Sequence, residues 1–107
     1  MKTSGISALL ALMLSTQSVA QSPLESCEEI PGLAAQIISR RQINYDIMLM
    51  LNYIGGEFTD HPELQSWAQA MVDMAYAQPI PPEPDARTTQ VETFVALWTR
   101  RCEESLP

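Results

Sequence analysis

Residues 38–46, Ile38-Ser39-Arg40-Arg41-Gln42-Ile43-Asn44-Tyr45-Asp46, decide how many helices this chain forms. Helical periodicity of apolar residues runs on both sides of the stretch, and by itself would let Ile30 to Ile54 form one helix. Asn44 tolerates the left-handed conformation that ends a helix, and Asp46 is suited to cap the next one, so a break is predicted at Ile43-Asn44-Tyr45.

The cysteines argue for the same break. Cys27 and Cys102 are the only two. In an exported chain an even pair reads as a disulfide, and two cysteines allow one pairing. An unbroken first helix of about 28 residues would be ~42 Å long. Three consecutive antiparallel helices would then place the cysteines at opposite ends, whereas bridged cysteines need Cα atoms within ~7 Å. Four helices running up, down, up, down bring the start of the first beside the end of the fourth. The expected fold is therefore all-α, a small four-helix bundle stapled by one disulfide. Two buried thiols are the alternative, and metal ligation by two cysteines with no histidine nearby is weaker still.

Export is read from the first twenty residues. Lys2 forms a positive start, Ile6 to Leu14 an apolar core too short to span a bilayer, and Ser18-Val19-Ala20 a small-residue cleavage site. Cleavage is expected after Ala20. A lipoprotein would need its cysteine directly behind the apolar run, but Cys27 follows Leu24-Glu25-Ser26. The expected organisation is a signal peptide over 1–20 and one helical domain over 21–107, exported to the periplasm of a Gram-negative bacterium or secreted, with no membrane insertion after cleavage.

Without Lys2 the chain carries five arginines against thirteen carboxylates, a formal charge of −8. So acidic a protein lacks the basic surface needed to displace counterions from nucleic acid or to bind anionic lipid. A domain of this size has a marginal core, and a bridge closing so long a loop would contribute ~4 kcal/mol in the chain-entropy model.

The rest of the chain reads as helices and their stops. Ser26 and Glu29 have capping-box spacing, with Ile30, Leu33, Ile37 and Ile38 on one face and Pro31 tolerable only in a first turn. Asp60-His61-Pro62-Glu63 looks like a helix start, and Leu64, Trp67, Ala68, Met71 and Ala75 form its stripe. That helix must stop near Gln78, because residues 79–84, Pro79-Ile80-Pro81-Pro82-Glu83-Pro84, read as an extended connector, linker or ligand. Thr89 and Glu92 have capping-box spacing ahead of Phe94, Val95, Trp98 and Cys102. Arg40-Arg41 and Arg100-Arg101 are assigned to the last turns of the first and fourth helices, where cations face the negative dipole end for ~0.3–1 kcal/mol each. Arg41, four residues after Ile37, points toward the core edge and calls for a carboxylate such as Asp46 or Asp73.

Several of these residues resemble the pattern of a family of small exported proteobacterial proteins of uncharacterised function. The likeness rests on Cys27, Ile30, Leu33-Ala34, Ile37, Arg41-Gln42 and Asn44, then Ala75-Tyr76 with Pro79, then Phe94 and Cys102. The family pattern is C-x-x-I-A-x-x-A, R-Q-x-G, A-Y-x-x-P, F and a closing C. Asn44 replaces its glycine and Pro31 a small residue. The resemblance implies a helical fold and an envelope address, and it supplies no activity.

Candidate chemistry is sparse. His61, the single histidine, precedes a proline at a helix start, which is ordinary capping, so no Ser-His-Asp arrangement is assigned. Glu57, Asp60 and His61, beside Glu63, are weak candidates for a divalent cation, though their spacing matches no calcium loop. Met48, Met50, Met71 and Met74 suggest soft-metal ligands, but Met48 and Met71 fall on predicted core stripes and packing is the fuller account. With no phosphate loop, no CxxC and no free thiol, no enzyme is expected, and no cofactor. The reading is a non-enzymatic protein-binding module of the envelope, an immunity, inhibitory or prophage-type factor whose partner is another envelope protein. The alternatives are an acid-stress periplasmic chaperone and a Met/His metal-binding protein.

Overall fold

The computed structural model describes residues 24–107; the leader expected over 1–20 and its cleavage after Ala20 lie outside them. Four helices follow in order: α1 (Ile30–Gln42), α2 (Ile47–Glu57), α3 (Pro62–Tyr76) and α4 (Pro84–Ser105). Cys27 and Cys102 are bridged, with Cα atoms 5.9 Å apart. The chain is an all-α four-helix bundle whose first and last helices are stapled together, as expected.

The break between α1 and α2 lies where the sequence placed it. Asn44 has φ 60°, the left-handed region, and is the one non-glycine residue with positive φ among those described. The Asn44 N–H donates to the Arg41 carbonyl at 2.9 Å and the Tyr45 N–H to the Arg40 carbonyl at 3.0 Å. These two crossed bonds form a Schellman motif, satisfying carbonyls the helix would otherwise leave open. Asp46 then caps α2, its carboxylate accepting from the Met48 and Leu49 N–H groups at 2.8 and 3.3 Å.

Two helix starts differ from expectation. The Ser26–Glu29 capping box does not form: α1 opens at Ile30 after Glu29, with no side-chain cap and Pro31 in its first turn. The bridge holds Cys27 in a turn, and a proline there needs no N–H partner. The start of α3 is where Asp60-His61-Pro62-Glu63 placed it, with His61 as N-cap, Pro62 leading and Glu63 in the first turn, though no side chain bonds the cap. The start of α4 is not at Thr89 but at Pro84, and Asp85 is the acid of its first turn. Pro84, assigned above to the connector, has a ring that pre-sets the helical φ and so begins the helix.

The core lies between α1, α3 and α4. Ile30, Leu33, Ala34, Ile37 and Ile38 of α1 meet Trp67, Ala68, Met71, Val72 and Ala75 of α3, and Phe94, Trp98 and Cys102 of α4. Trp67 and Trp98 stand edge to face, with centroids 5.9 Å apart, and Phe94 tilts against Trp98 at 6.2 Å. α1 packs most extensively on α4 and next on α3, whereas α2 packs on α3. That leaves α2 at the margin of the bundle.

Candidate functional site

Arg41, Gln42, Tyr76 and Pro79 meet at one end of the bundle, and their polar groups are spent on contacts within the chain. The Arg41 guanidinium donates to the Gln78 carbonyl through Nε and Nη2, at 3.2 and 2.9 Å, and lies over the Tyr76 ring. Its partner is therefore a carbonyl and an aromatic face, not the carboxylate of Asp46 or Asp73. A guanidinium at a half-buried edge needs donors satisfied, and the chain leaving α3 supplies an open helix-end carbonyl. The Tyr76 hydroxyl donates to the Tyr45 carbonyl at 2.7 Å, and burial pushes its pKa up while the Arg41 charge opposes the shift.

Gln42 extends the clamp. Its amide donates to the Arg87 carbonyl at 2.8 Å and to the Gln90 amide oxygen at 2.9 Å. Gln90 in turn donates to the Gln78 side chain and to the Pro79 carbonyl, both at 3.1 Å. Arg87 reaches the carbonyls of Pro81 and Pro82 at 3.0 and 2.8 Å. The proline-rich connector is thus held along its length by α1 and α4. Ala75 and Phe94 are buried in the core. Arg41, Gln42, Tyr76 and Pro79 act together to fix where the connector runs, and their polar groups are occupied in doing so.

The arginine pairs have different roles. Arg40 and Arg41 do lie in the last turn of α1. Arg100 and Arg101 do not lie in the last turn of α4, which continues to Ser105; Arg101 instead covers the Trp98 ring at 4.9 Å.

His61 lines a cleft of about 290 Å³ with Leu24, Glu25, Glu29, Glu63 and others, near the bridged end. Glu57, Asp60 and His61 do not gather into a metal site: among the described residues no group of three or more His, Cys, Asp or Glu side chains does. The methionines serve packing: Met74 lies against the core that holds Met50 and Met71. Met50 and Met71 are buried, while Met48 faces solvent. Met48 and Met50 exchange the places predicted for them, because Ile47 to Leu51 is apolar on every side and only the contact with α3 selects the inward face.

That choice exposes the feature the sequence reading missed. Ile43 is 74% exposed, Met48 61%, Leu49 52%, and Ile47 and Tyr53 37% each. All five belong to α2 or to the turn leading into it. Only Met50 and Ile54 of α2 are buried. Of the five, Met48, Leu49 and Tyr53 share the outward side of α2 and present on the order of 300 Å² of apolar surface, within the range of a monomer's largest patch. None of residues 47–56 is charged, and that run was the available signal.

Gly56 completes this face. Gly55 and Gly56 lie inside α2, where glycine costs about 1 kcal/mol relative to alanine. A Cβ at Gly56 would meet nothing within 4 Å, and one at Gly55 would meet only the Gln65 amide at 4.0 Å. Packing within the protein does not require either. Leu49, Tyr53 and Gly56 follow at helical spacing of four and three, two projecting side chains and a notch on one face. Arg40 borders it, its guanidinium over Tyr45 at 5.1 Å and Tyr53 at 5.7 Å.

No helix of the described residues is long and apolar enough to cross a membrane. The sequence matches no protein-family model, no curated protein and no solved structure. The class defined by fold and surface is a small disulfide-stapled helical bundle with an unpartnered apolar helix face.

Proposed function

We propose that this protein is a non-enzymatic binding module of the cell envelope, exported by its N-terminal leader, which engages another protein through the outward face of α2. The observation that carries the reading is that α2 leaves Met48, Leu49 and Tyr53 facing solvent when the other helices described keep their large apolar residues buried or half-buried. Leaving them exposed forgoes about 1.5–3 kcal/mol per side chain that burial would return, a cost a binding partner recovers. The occupied clamp around Arg41 supports the same assignment, because it leaves the family-pattern residues in a structural role. The acidic surface elsewhere disfavours anionic partners and suits a protein whose contact is apolar at the centre and weakly charged at the rim.

A photo-reactive residue at Met48, compared with one at Glu92 on the exposed side of α4, tests this in cells. The expected result is a cross-link of defined mass to a different protein from position 48 alone. Equal labelling from both positions, or none from position 48, would overturn the reading.

A further inference from the structure

We infer that the α2 face also pairs with the α2 face of a second copy, giving a symmetric antiparallel dimer when no other partner is bound. The inference rests on the proposed function in taking this face as an interaction surface.

Charge selects a second copy as the occupant. Two chains with an excess of carboxylates repel one another over most of their surface. Residues 47–56 carry no charge, so α2 is where two copies meet without that repulsion. Self-complementarity sets the direction. Antiparallel pairing centred between Asn52 and Tyr53 places Leu49 of each copy opposite Gly56 of the other, a projecting side chain against a notch. A Cβ placed on Gly56 would meet nothing within 4 Å.

The same register brings the two charges bordering the face together. Arg40 lies over both Tyr45 and Tyr53 and is therefore level with Leu49 along α2. Glu57, exposed at the last residue of α2, comes to that level in the antiparallel second copy. Each symmetric pair thus gains two Arg40–Glu57 contacts. Parallel pairing would set each Glu57 beside its own counterpart.

Area sets the strength. Roughly 300 Å² per copy gives a total near 600 Å², below the size of a standard specific interface. The dimer is accordingly weak, with a dissociation constant on the order of 10–100 μM, and a tighter partner displaces the second copy.

Sedimentation equilibrium of the purified, oxidised protein from about 1 μM to 1 mM tests the proposal. The expected result is a monomer–dimer equilibrium within that range. Gly56→Leu, whose Cβ would meet nothing within 4 Å, should weaken dimerisation about tenfold while circular dichroism shows the helices intact. Glu57→Arg should weaken it about fivefold, and Arg40→Glu combined with Glu57→Arg should restore it. A monomer throughout the range would overturn self-pairing and leave the Met48 cross-link to another protein as it stands. A dimer indifferent to Gly56→Leu would overturn the assigned face, and failure of the double charge reversal to restore association would overturn the antiparallel register.

Discussion

The guanidinium of Arg41 grips the carbonyl of Gln78 with two N–H groups, joining the last turn of α1 to the chain just beyond α3. A planar fork can do this; an ammonium cannot reproduce both bonds and the stacking on Tyr76. Arg41→Lys should therefore cost about 1 kcal/mol, and Arg41→Ala about 2 kcal/mol because the carbonyl loses a charge-assisted partner. Urea melts of the two variants check the order, and equal stability of lysine and arginine would remove the fork from the account.

At the turn that follows, Asn44 is held at φ 60°. Glycine visits this region without steric cost, whereas alanine pays about 1 kcal/mol. Asn44→Gly should be neutral or slightly stabilising and Asn44→Ala destabilising by ~1 kcal/mol. Denaturant midpoints showing alanine as the better of the two would contradict a left-handed residue here.

What the sequence made readable follows from how local each cause is. Asn44 and Asp46 act on backbone groups within three residues, so the end of α1 and the cap of α2 could be predicted from residue type alone. The bridge was readable because two cysteines allow one pairing. Pro84 was hidden by the prolines before it, which made the first residue of α4 look like more connector. Arg100-Arg101 fall short of a helix end because α4 runs on to Ser105, and no glycine or proline between them and Pro107 marks where it stops. The inward face of α2 was not readable, since an apolar run has no preferred side until α3 chooses one. The candidate site was missed for the same reason.

Tyr76 links pH to stability at the alkaline end. Its folded-state pKa is raised, mainly by burial, above the ordinary value of 10.0. The neutral phenol is the form that fits, so its contribution is fully present below about pH 10 and is lost as pH rises through the raised value. Tyr76→Phe should cost about 1 kcal/mol near neutrality through loss of the bond to the Tyr45 carbonyl, and it should abolish this part of the alkaline decline. Urea midpoints compared at pH 8 and above pH 10 measure both effects; parallel declines for the two proteins would show that Tyr76 is not the group responsible.

Thr99 offers a stabilising change. Its hydroxyl oxygen is buried without a hydrogen-bond partner. Thr99→Val removes that polar atom and keeps the branched shape, so a gain of about 1 kcal/mol is expected. Thermal unfolding with a lowered midpoint would mean that the hydroxyl is satisfied in solution.

Reduction of the bridge should be the costliest single change. With the two cysteines 75 positions apart in sequence, the chain-entropy model assigns the crosslink ~4 kcal/mol. Cys27→Ala with Cys102→Ala should lower the urea midpoint accordingly, and an unchanged midpoint would mean that the core suffices without it.

The same bridge gives the bundle a mechanical property. A pull applied to the chain before Cys27 and after Cys102 passes directly through the sulfur–sulfur bond, bypassing all of α1, α2 and α3 and most of α4. Tension is borne by a covalent bond and not by the apolar core. Only the segments outside the bridge lengthen under load, and the protein can be drawn by its ends while α2 keeps its face presented.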